Sequence, residues 1–412
     1  MWMLLCDTHT QRGDGLARES PTVTGTGETE RPRMNCFMPR GTRRMIEERR
    51  LHNERQQVLI RKLSREMYQE QGSDPHLGTR HQLSRLMRPD DANIFGSVHG
   101  GTILRMIEEA GGIISTRHCN TQDGDRCVAV LGRVEKTEFL SPMFIGEVAH
   151  VCAEITYTSE HSVEVQVHVM SENVLTGSKK LTNKAALWYV PCSLKNVDKI
   201  LDVPPIKYTS PEQEEAGRKR HEVQRTVRQN TTERNEEVPP PASKPERPMK
   251  EIHTVGFSQS SLIHLVGPND CMMNDFVHGG VTMKLMDEVA GIVGARHCNT
   301  RIVTACVDAI NFHRKIKKGS LLKVQGRMAF TSPRSMEIQV IVDVEPLIEA
   351  DKATYRAVSA FFTFISLDKD NRPLPVPLLK VEGEEEQRRF DEGKERYLQN
   401  KARRIADSQV TA

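Results

Sequence analysis

The sequence predicts an α+β fold built twice in one chain. Three observations carry this. Residues 98–120 read VHGGTILRMIEEAGGIISTRHCN, and residues 277–299 read VHGGVTMKLMDEVAGIVGARHCN. Each copy has the three- and four-residue spacing of a helix, and each is followed by segments with the two-residue spacing of strands. One long helix followed by several antiparallel strands is an α+β pattern. The copies lie 179 positions apart (277 − 98). Two copies are too few for a solenoid and too far apart for a hairpin, so they read as two homologous domains.

A chain of 412 residues is long enough for two or three domains. Lys and Arg number 58 against 55 Asp and Glu, and aromatics are 5% of the chain. Near-balanced charge and few stacking platforms argue against a nucleic-acid partner. No apolar run approaches the roughly 20 residues of a transmembrane helix. The nine cysteines are scattered, with no CxxC pair. That predicts free thiols in a reducing compartment and no zinc site.

Residues 1–81 read as a leader, polar, Arg-rich and without sustained periodicity. Residues 1–6 are too short for a signal-peptide core. Arg12, Arg18, Arg31 and Arg33 allow a mitochondrial transit peptide, but Asp7, Asp14, Glu19, Glu28 and Glu30 interrupt it. The predicted location is therefore cytoplasmic, or mitochondrial if the leader is a transit peptide. Residues 44–70 could form a charged, solvated helix.

Residues 82–196 form the first predicted domain. A loop signal, Arg88-Pro89-Asp90-Asp91-Ala92-Asn93, leads to the repeated helix. His-Gly-Gly opens that helix; the glycines allow a tight turn and leave free N–H groups at the helix start. Ile103, Ile107, Ala110 and Ile114 recur on one face. Strands follow at 127–134, 147–156, 162–170 and 182–191. Val163, Val165, Val167 and Val169 share one strand face.

Residues 203–250 read as a charged, Pro-rich linker, with Pro239-Pro240-Pro241 favouring extended backbone. Residues 253–378 form the second domain. Its helix carries Leu285, Met286, Val289, Ile292 and Val293 as the apolar set. Beyond that helix the offset between mates falls from 179 to 173: Phe139 matches Phe312, Gly146 matches Gly319, and 162–167 match 335–340. The loss is expected near 122–126, where length changes are cheap. Residues 382–412 read as a charged helical tail, exposed to solvent.

A loop, a helix opened by HGG and an antiparallel sheet resemble the hotdog fold, in which a curved sheet wraps one long central helix. The two-copy form, with PDDAN, HGGTILRMIEEAG and HGGVTMKLMDEVAG, resembles the tandem-hotdog acyl-coenzyme A thioesterases. The likeness runs from about residue 82 to 400. It implies hydrolysis of a fatty acyl-CoA, of medium to long chain, to free acid and CoA. It implies no cofactor, CoA being part of the substrate, an active site at the seam between paired hotdogs, and a homo-oligomer forming a ring of six hotdog domains.

Thioester hydrolysis needs an activated water, a stabilised oxyanion and an apolar groove. A carboxylate within each apolar helix pattern needs a partner or a task. These are Glu108 and Asp287, equivalent positions with different side chains. Either could act as general base or nucleophile. Backbone N–H groups of Gly100 and Gly101 could hold an oxyanion at the helix start, as could Gly279 and Gly280. A side-chain amide could orient water or carbonyl. Asn93 lies six residues before His99, whereas the position six before His278 is Met272. The halves are thus complementary: one keeps the amide, the other the Asp. The resemblance places its catalytic residues on Asn93 and Asp287, which predicts one competent seam site and one degenerate one.

Alternative roles accompany each residue. Asp287 could be an ion-pair partner, and Asn93 a turn residue. His99 and His278 more readily cap or pack than act as bases. Arg334 and Ser335, in the strand turn of the second domain, could hold a CoA phosphate, or could be an ordinary hairpin. Two other functions compete with hydrolysis. A hotdog hydratase or dehydratase would use a His–carboxylate pair such as His99 or His278 with Glu108. An acyl-CoA binding module would not turn over.

Overall fold

The computed structural model describes residues 79–93, 96–121, 124–234, 252–347, 353–368 and 370–410. The first repeat helix, α1 (Gly100–Cys119), buries Ile103, Ile107, Ala110 and Ile114, the face its periodicity predicts. Its counterpart α4 (Gly279–Cys298) buries Leu285, Met286, Val289 and Val293. Ile292 does not join them and stands 44% exposed. It is one residue, about 100° around the helix, from Val293, and so falls off the buried stripe.

The strands in chain order are β1 (Arg80–Leu86), β2 (Cys127–Val134), β3 (Thr137–Phe139), β4 (Glu147–Thr158), β5 (Val163–Asn173) and β6 (Lys179–Ser193) in the first half. The second half supplies β7 (Ser260–Leu265), β8 (Arg301–Val307), β9 (Ile310–Asn311), β10 (Ser320–Thr331), β11 (Met336–Pro346) and β12 (Tyr355–Leu367). The first half begins before residue 82, since Arg80 already pairs with Glu154 of β4. The leader up to residue 78, the Pro-rich stretch 235–251 and the possible helix at 44–70 lie outside the described residues.

All twelve strands join one antiparallel sheet of order β1-β4-β5-β6-β3-β8-β12-β11-β10-β7, with β2 on β6 and β9. The halves are stitched reciprocally. β3 of the first half pairs with β8 of the second, and β9 of the second pairs with β2 of the first. On β5, Val163, Val165, Val167 and Val169 are all fully buried; Met336, Ile338, Val340 and Val342 repeat this on β11. These faces hold the helices, and one apolar core runs through both halves. Burial at about 25 cal/mol per Å² makes such a core the main source of stability.

The two helices meet at the second glycine of each HGG. A Cβ on Gly101 would lie 2.7 Å from Lys284 Cα, and one on Gly280 would lie 2.9 Å from Arg105 Cα. Only glycine allows backbones this close. Five of the six residues of the offset change sit where expected, because seven residues (120–126) separate α1 from β2 and two (299–300) separate α4 from β8. The histidine of each RHCN is a structural tether. His118 Nε2 donates to Pro204 O at 2.6 Å, and His297 Nε2 donates to Pro377 O at 2.9 Å. The described cysteines are free thiols.

The charged segments after each domain dock by one face and leave the other to solvent. Helices α2 (Pro211–Arg234), α3 (Val255–Ser258) and α5 (Gly383–Val410) complete the chain. Gly217 of α2 lies against Tyr157, and Gly393 of α5 against Phe330, its mate. Arg220 forks onto buried Glu164, and Arg396 forks onto buried Glu337. Linker and tail therefore both carry an equivalent outer helix. Each contact is centred on a glycine and an arginine, and on the tail helix Phe390 and Tyr397 add ring contacts to Phe330.

Candidate active site

Asp287 sits midway along α4, with only 2% of its surface exposed. Its carboxylate bridges the halves. Oδ2 accepts the N–H of Gly101 at 2.8 Å, and Oδ1 accepts the Thr304 hydroxyl at 2.8 Å. Gly101 belongs to α1, so the acid of one domain is held by the helix start of the other. Burial raises the Asp287 pKa above the ordinary carboxylate range. The Gly101 N–H, the Thr304 hydroxyl and nearby His99 partly oppose that rise. A buried acid with a raised pKa and two donors on its anionic form is a stronger base than an ordinary carboxylate and is suited to accept a proton.

This arrangement alters one expectation. The Gly101 N–H is committed to Asp287 and is not an open oxyanion donor. Its position at the helix crossing aims it at the carboxylate. Gly100 lies one residue nearer the cavity. A Cβ there would be 2.6 Å from Thr304 Oγ1 and 2.9 Å from Asp287 Oδ1. A cavity of about 50 Å³ opens beside it, lined among others by Ser97, Gly100, Ile103, Phe139 and Thr304.

Asn93 forms a tight loop with Ser97. Its Oδ1 accepts the Ser97 N–H at 3.2 Å, and its own N–H donates to Ser97 O at 2.9 Å. The Ser97 hydroxyl in turn accepts a hydrogen bond from Arg301 Nη2. Arg301 lies three residues before Thr304 on β8. Asn93 is thereby linked to the strand that holds Asp287. Burial lowers the pKa of the Arg301 guanidinium.

Three residues here escaped the sequence reading: Ser97, Arg301 and Thr304. Their mates are Phe276, Val128 and Leu131. All three are polar at this seam and apolar at the other, the same asymmetry that singles out Asn93 against Met272. At the second seam Leu131 packs on Gly279, as Thr304 packs on Gly100. Glu108, 3% exposed, forms an ion pair with His278 Nδ1 at 3.7 Å. That contact raises the His278 pKa.

Arg334 and Ser335 are not gathered with this group. They lie in the β10–β11 turn, beside Met336 at the start of β11, which touches Cys298 at the last turn of α4. Eleven residues separate Cys298 from Asp287, a rise of roughly 16 Å. The Ser335 hydroxyl is already engaged by Ser332 Oγ at 2.7 Å, because the turn satisfies its own polar groups. Arg334 has no carboxylate partner among the described residues. No helix among them is long and apolar enough to cross a membrane.

Comparison with known proteins identifies the repeat. The thioesterase superfamily model matches residues 95–178 and 274–348. Cytosolic acyl coenzyme A thioester hydrolase of Mus musculus is 66% identical over 328 residues, 80% of this chain and 85% of that protein. The Homo sapiens protein of the same name is 67% identical over 320 residues, 78% of this chain and 83% of its own. A solved acyl-CoA hydrolase from Staphylococcus aureus is 27% identical and covers 39% of this chain and 96% of its own, with TM-score 0.36. With two hotdog repeats in one polypeptide and relatives of this identity over most of its length, the chain belongs to the acyl-coenzyme A thioesterases, a family of thioester-hydrolysing enzymes.

Proposed function

We propose that the chain hydrolyses fatty acyl-CoA, of medium to long chain, at the seam that contains Asp287 and Asn93. The observation that carries this is the cross-domain bond from the Gly101 N–H to Asp287, completed by Thr304. Asp287 removes a proton from water, and the water oxygen attacks the thioester carbonyl carbon. The carbonyl oxygen becomes an oxyanion facing the Gly100 N–H at the start of α1. Collapse of that intermediate breaks the C–S bond, and the CoA sulfur leaves with the proton held on Asp287. The Asn93 amide orients the water or the carbonyl. Direct attack by Asp287 is the other route open to the same carboxylate.

The reaction so written needs no cofactor, since CoA is part of the substrate. Apolar side chains at the cavity, Ile103 and Phe139 among them, support an acyl tail. Arg334 remains the proposed anchor for a CoA phosphate. The cytosolic relatives support a cytoplasmic location. A homo-oligomer with six hotdog domains follows from the family likeness.

The test is thiol release from a ladder of acyl-CoAs, short to long. Wild type should release CoA, with Asp287→Ala and Asn93→Ala both strongly impaired. Full turnover by Asp287→Ala would overturn the assignment. One observation favours a second reading: the His278–Glu108 pair is the kind of couple a hydratase uses. A change in double-bond absorbance without thiol release would move the function there.

A further inference from the structure

The second seam keeps the shape of the first while losing its chemistry. Every lining residue of the first cavity except Asn183 has its mate there. Gly279 stands for Gly100, Phe312 for Phe139 and Leu131 for Thr304. The amide is replaced by Met272 and the Asp by Glu108. A pocket that had merely decayed would be free to fill in. This one is larger, at about 270 Å³ against about 50 Å³. Three wall positions carry smaller side chains, Thr282 for Ile103, Gly132 for Ala305 and Cys192 for Ile365, whereas Phe276 for Ser97 and Leu131 for Thr304 are larger, and the second pocket also extends to Val190, Asp198 and Ile200.

The mouth differs even more. At the catalytic cavity it is Leu140-Ser141-Pro142, and at the second it is His313-Arg314-Lys315. These cations are pre-placed on aromatic faces. The Arg314 guanidinium lies 5.2 Å from the centre of the Tyr355 ring, and Lys315 Nζ lies 5.4 Å from that of Phe276. Lys315 Nζ also donates to Val197 O. Its nearest carboxylate, Asp198, is 4.0 Å away and itself 90% exposed. No carboxylate pairs with Arg314 among the described residues. An apolar floor of Leu131, Val277 and Phe312 beneath a cationic rim matches one ligand chemistry: an apolar chain with an anionic head.

We infer that the second seam pocket, rimmed by Arg314 and Lys315, is a non-hydrolytic binding site for an anionic acyl ligand. Substrate and product share that chemistry, as acyl-CoA and fatty acid. The inference rests on the proposed function only for the choice of probes. Its own readout is stoichiometry, not turnover.

The experiment is calorimetric titration of the full chain with a thioether analogue of acyl-CoA, whose carbonyl is replaced by a methylene. A second titration uses the matching free fatty acid. Wild type should bind two analogue molecules per chain. Asp287→Ala should also bind two, which separates this site from the catalytic assignment. Arg314→Glu, at an exposed side chain, and Gly132→Phe, which fills the pocket, should each bind one. The retained first molecule shows that those variants are folded. Fatty acid binding at the site lost in Gly132→Phe would identify the product as a ligand; analogue binding alone would identify the substrate. One equivalent in wild type, or two in both variants, would overturn the inference.

Discussion

The two seams share a backbone plan and differ in which side chains carry polar atoms. At the first, Asp287 is gripped by a backbone N–H and a hydroxyl, and an Arg–Ser–Asn chain reaches the loop opposite. At the second the same places hold Glu108, Leu131, Val128, Phe276 and Met272. Duplication therefore preserved packing on both sides and concentrated these polar side chains on one. Buried polar groups are tolerated only where fully partnered, so a set of this kind is lost as a unit more readily than singly.

The largest expected effect breaks or keeps that asymmetry directly. Asp287→Ala should lower kcat/KM by about 10³ or more, the range for loss of a positioned general base. Glu108→Ala should change it by less than about threefold, as it lies outside the catalytic set. Equal losses in steady-state thiol release would mean that both seams turn over. A sharper form uses the Asp287→Ala background. Adding Met272→Asn, Glu108→Asp and Leu131→Thr should restore turnover to about tenfold above that background, if the backbone plan is truly shared.

How far this was legible depends on what each residue's role leaves in the pattern. The helices and the helix-facing strand residues were legible because burial imposes periodicity. Asp287 and Glu108 stood out as acids in an apolar stripe, and Asn93 against Met272 as an unequal pair. Thr304 sits in RIVTACV, where a β-branched residue is unremarkable in any strand. Its role follows only from the bulge near Thr304–Cys306 and the pairing of β8, which aim the hydroxyl at Asp287. The docking and equivalence of the outer helices were hidden for another reason. Gly217 and Arg220 match Gly393 and Arg396 at an offset of 176, unlike either offset in the domains, and charged residues dominate their surroundings.

Those outer helices give the next contrast. Glu164 accepts from Arg220 and also from the Thr156 hydroxyl at 2.9 Å. Ala329 occupies the matching place beside Glu337. Burial pushes the Glu337 pKa up to about 7 despite the Arg396 fork. Arg396→Met should destabilise the protein by about 3 kcal/mol above that pH, the scale for leaving one partner of a buried pair. The loss should shrink below about pH 7, where Glu337 takes a proton. Arg220→Met should cost less, as Thr156 remains. Denaturant melts of both variants across pH check this, and equal losses at every pH would erase the contrast.

Thr304→Val should lower kcat/KM by about tenfold to a hundredfold, smaller than loss of the base itself. The direction of its pH effect is fixed. The hydroxyl donates to the ionised carboxylate and so lowers the Asp287 pKa against the effect of burial. Removing it raises that pKa further. The acid limb of the kcat/KM profile should move to higher pH, while Leu131→Ala should leave the limb in place. An unmoved limb in Thr304→Val would show that Asp287 is not the group titrating.

The smallest effect concerns stability. Because burial raises the folded pKa of Asp287 above its unfolded value, the folded chain holds this proton more tightly than the unfolded chain does. Stability from that linkage is full at pH below the unfolded pKa and is lost as pH rises through the folded one. Where Asp287 is ionised, that charge therefore opposes folding. Asp287→Asn removes the charge, and its amide oxygen can still accept one of the two hydrogen bonds. The variant should be inactive yet more stable than wild type at neutral pH, by about 1 kcal/mol. That gain should vanish in acid, where Asp287 is already protonated. Glu108→Gln should give no such gain, because its carboxylate is paired with His278. A thermal melt at two pH values reads the difference. A stabilised Glu108→Gln beside an unchanged Asp287→Asn would place the strained acid at the wrong seam.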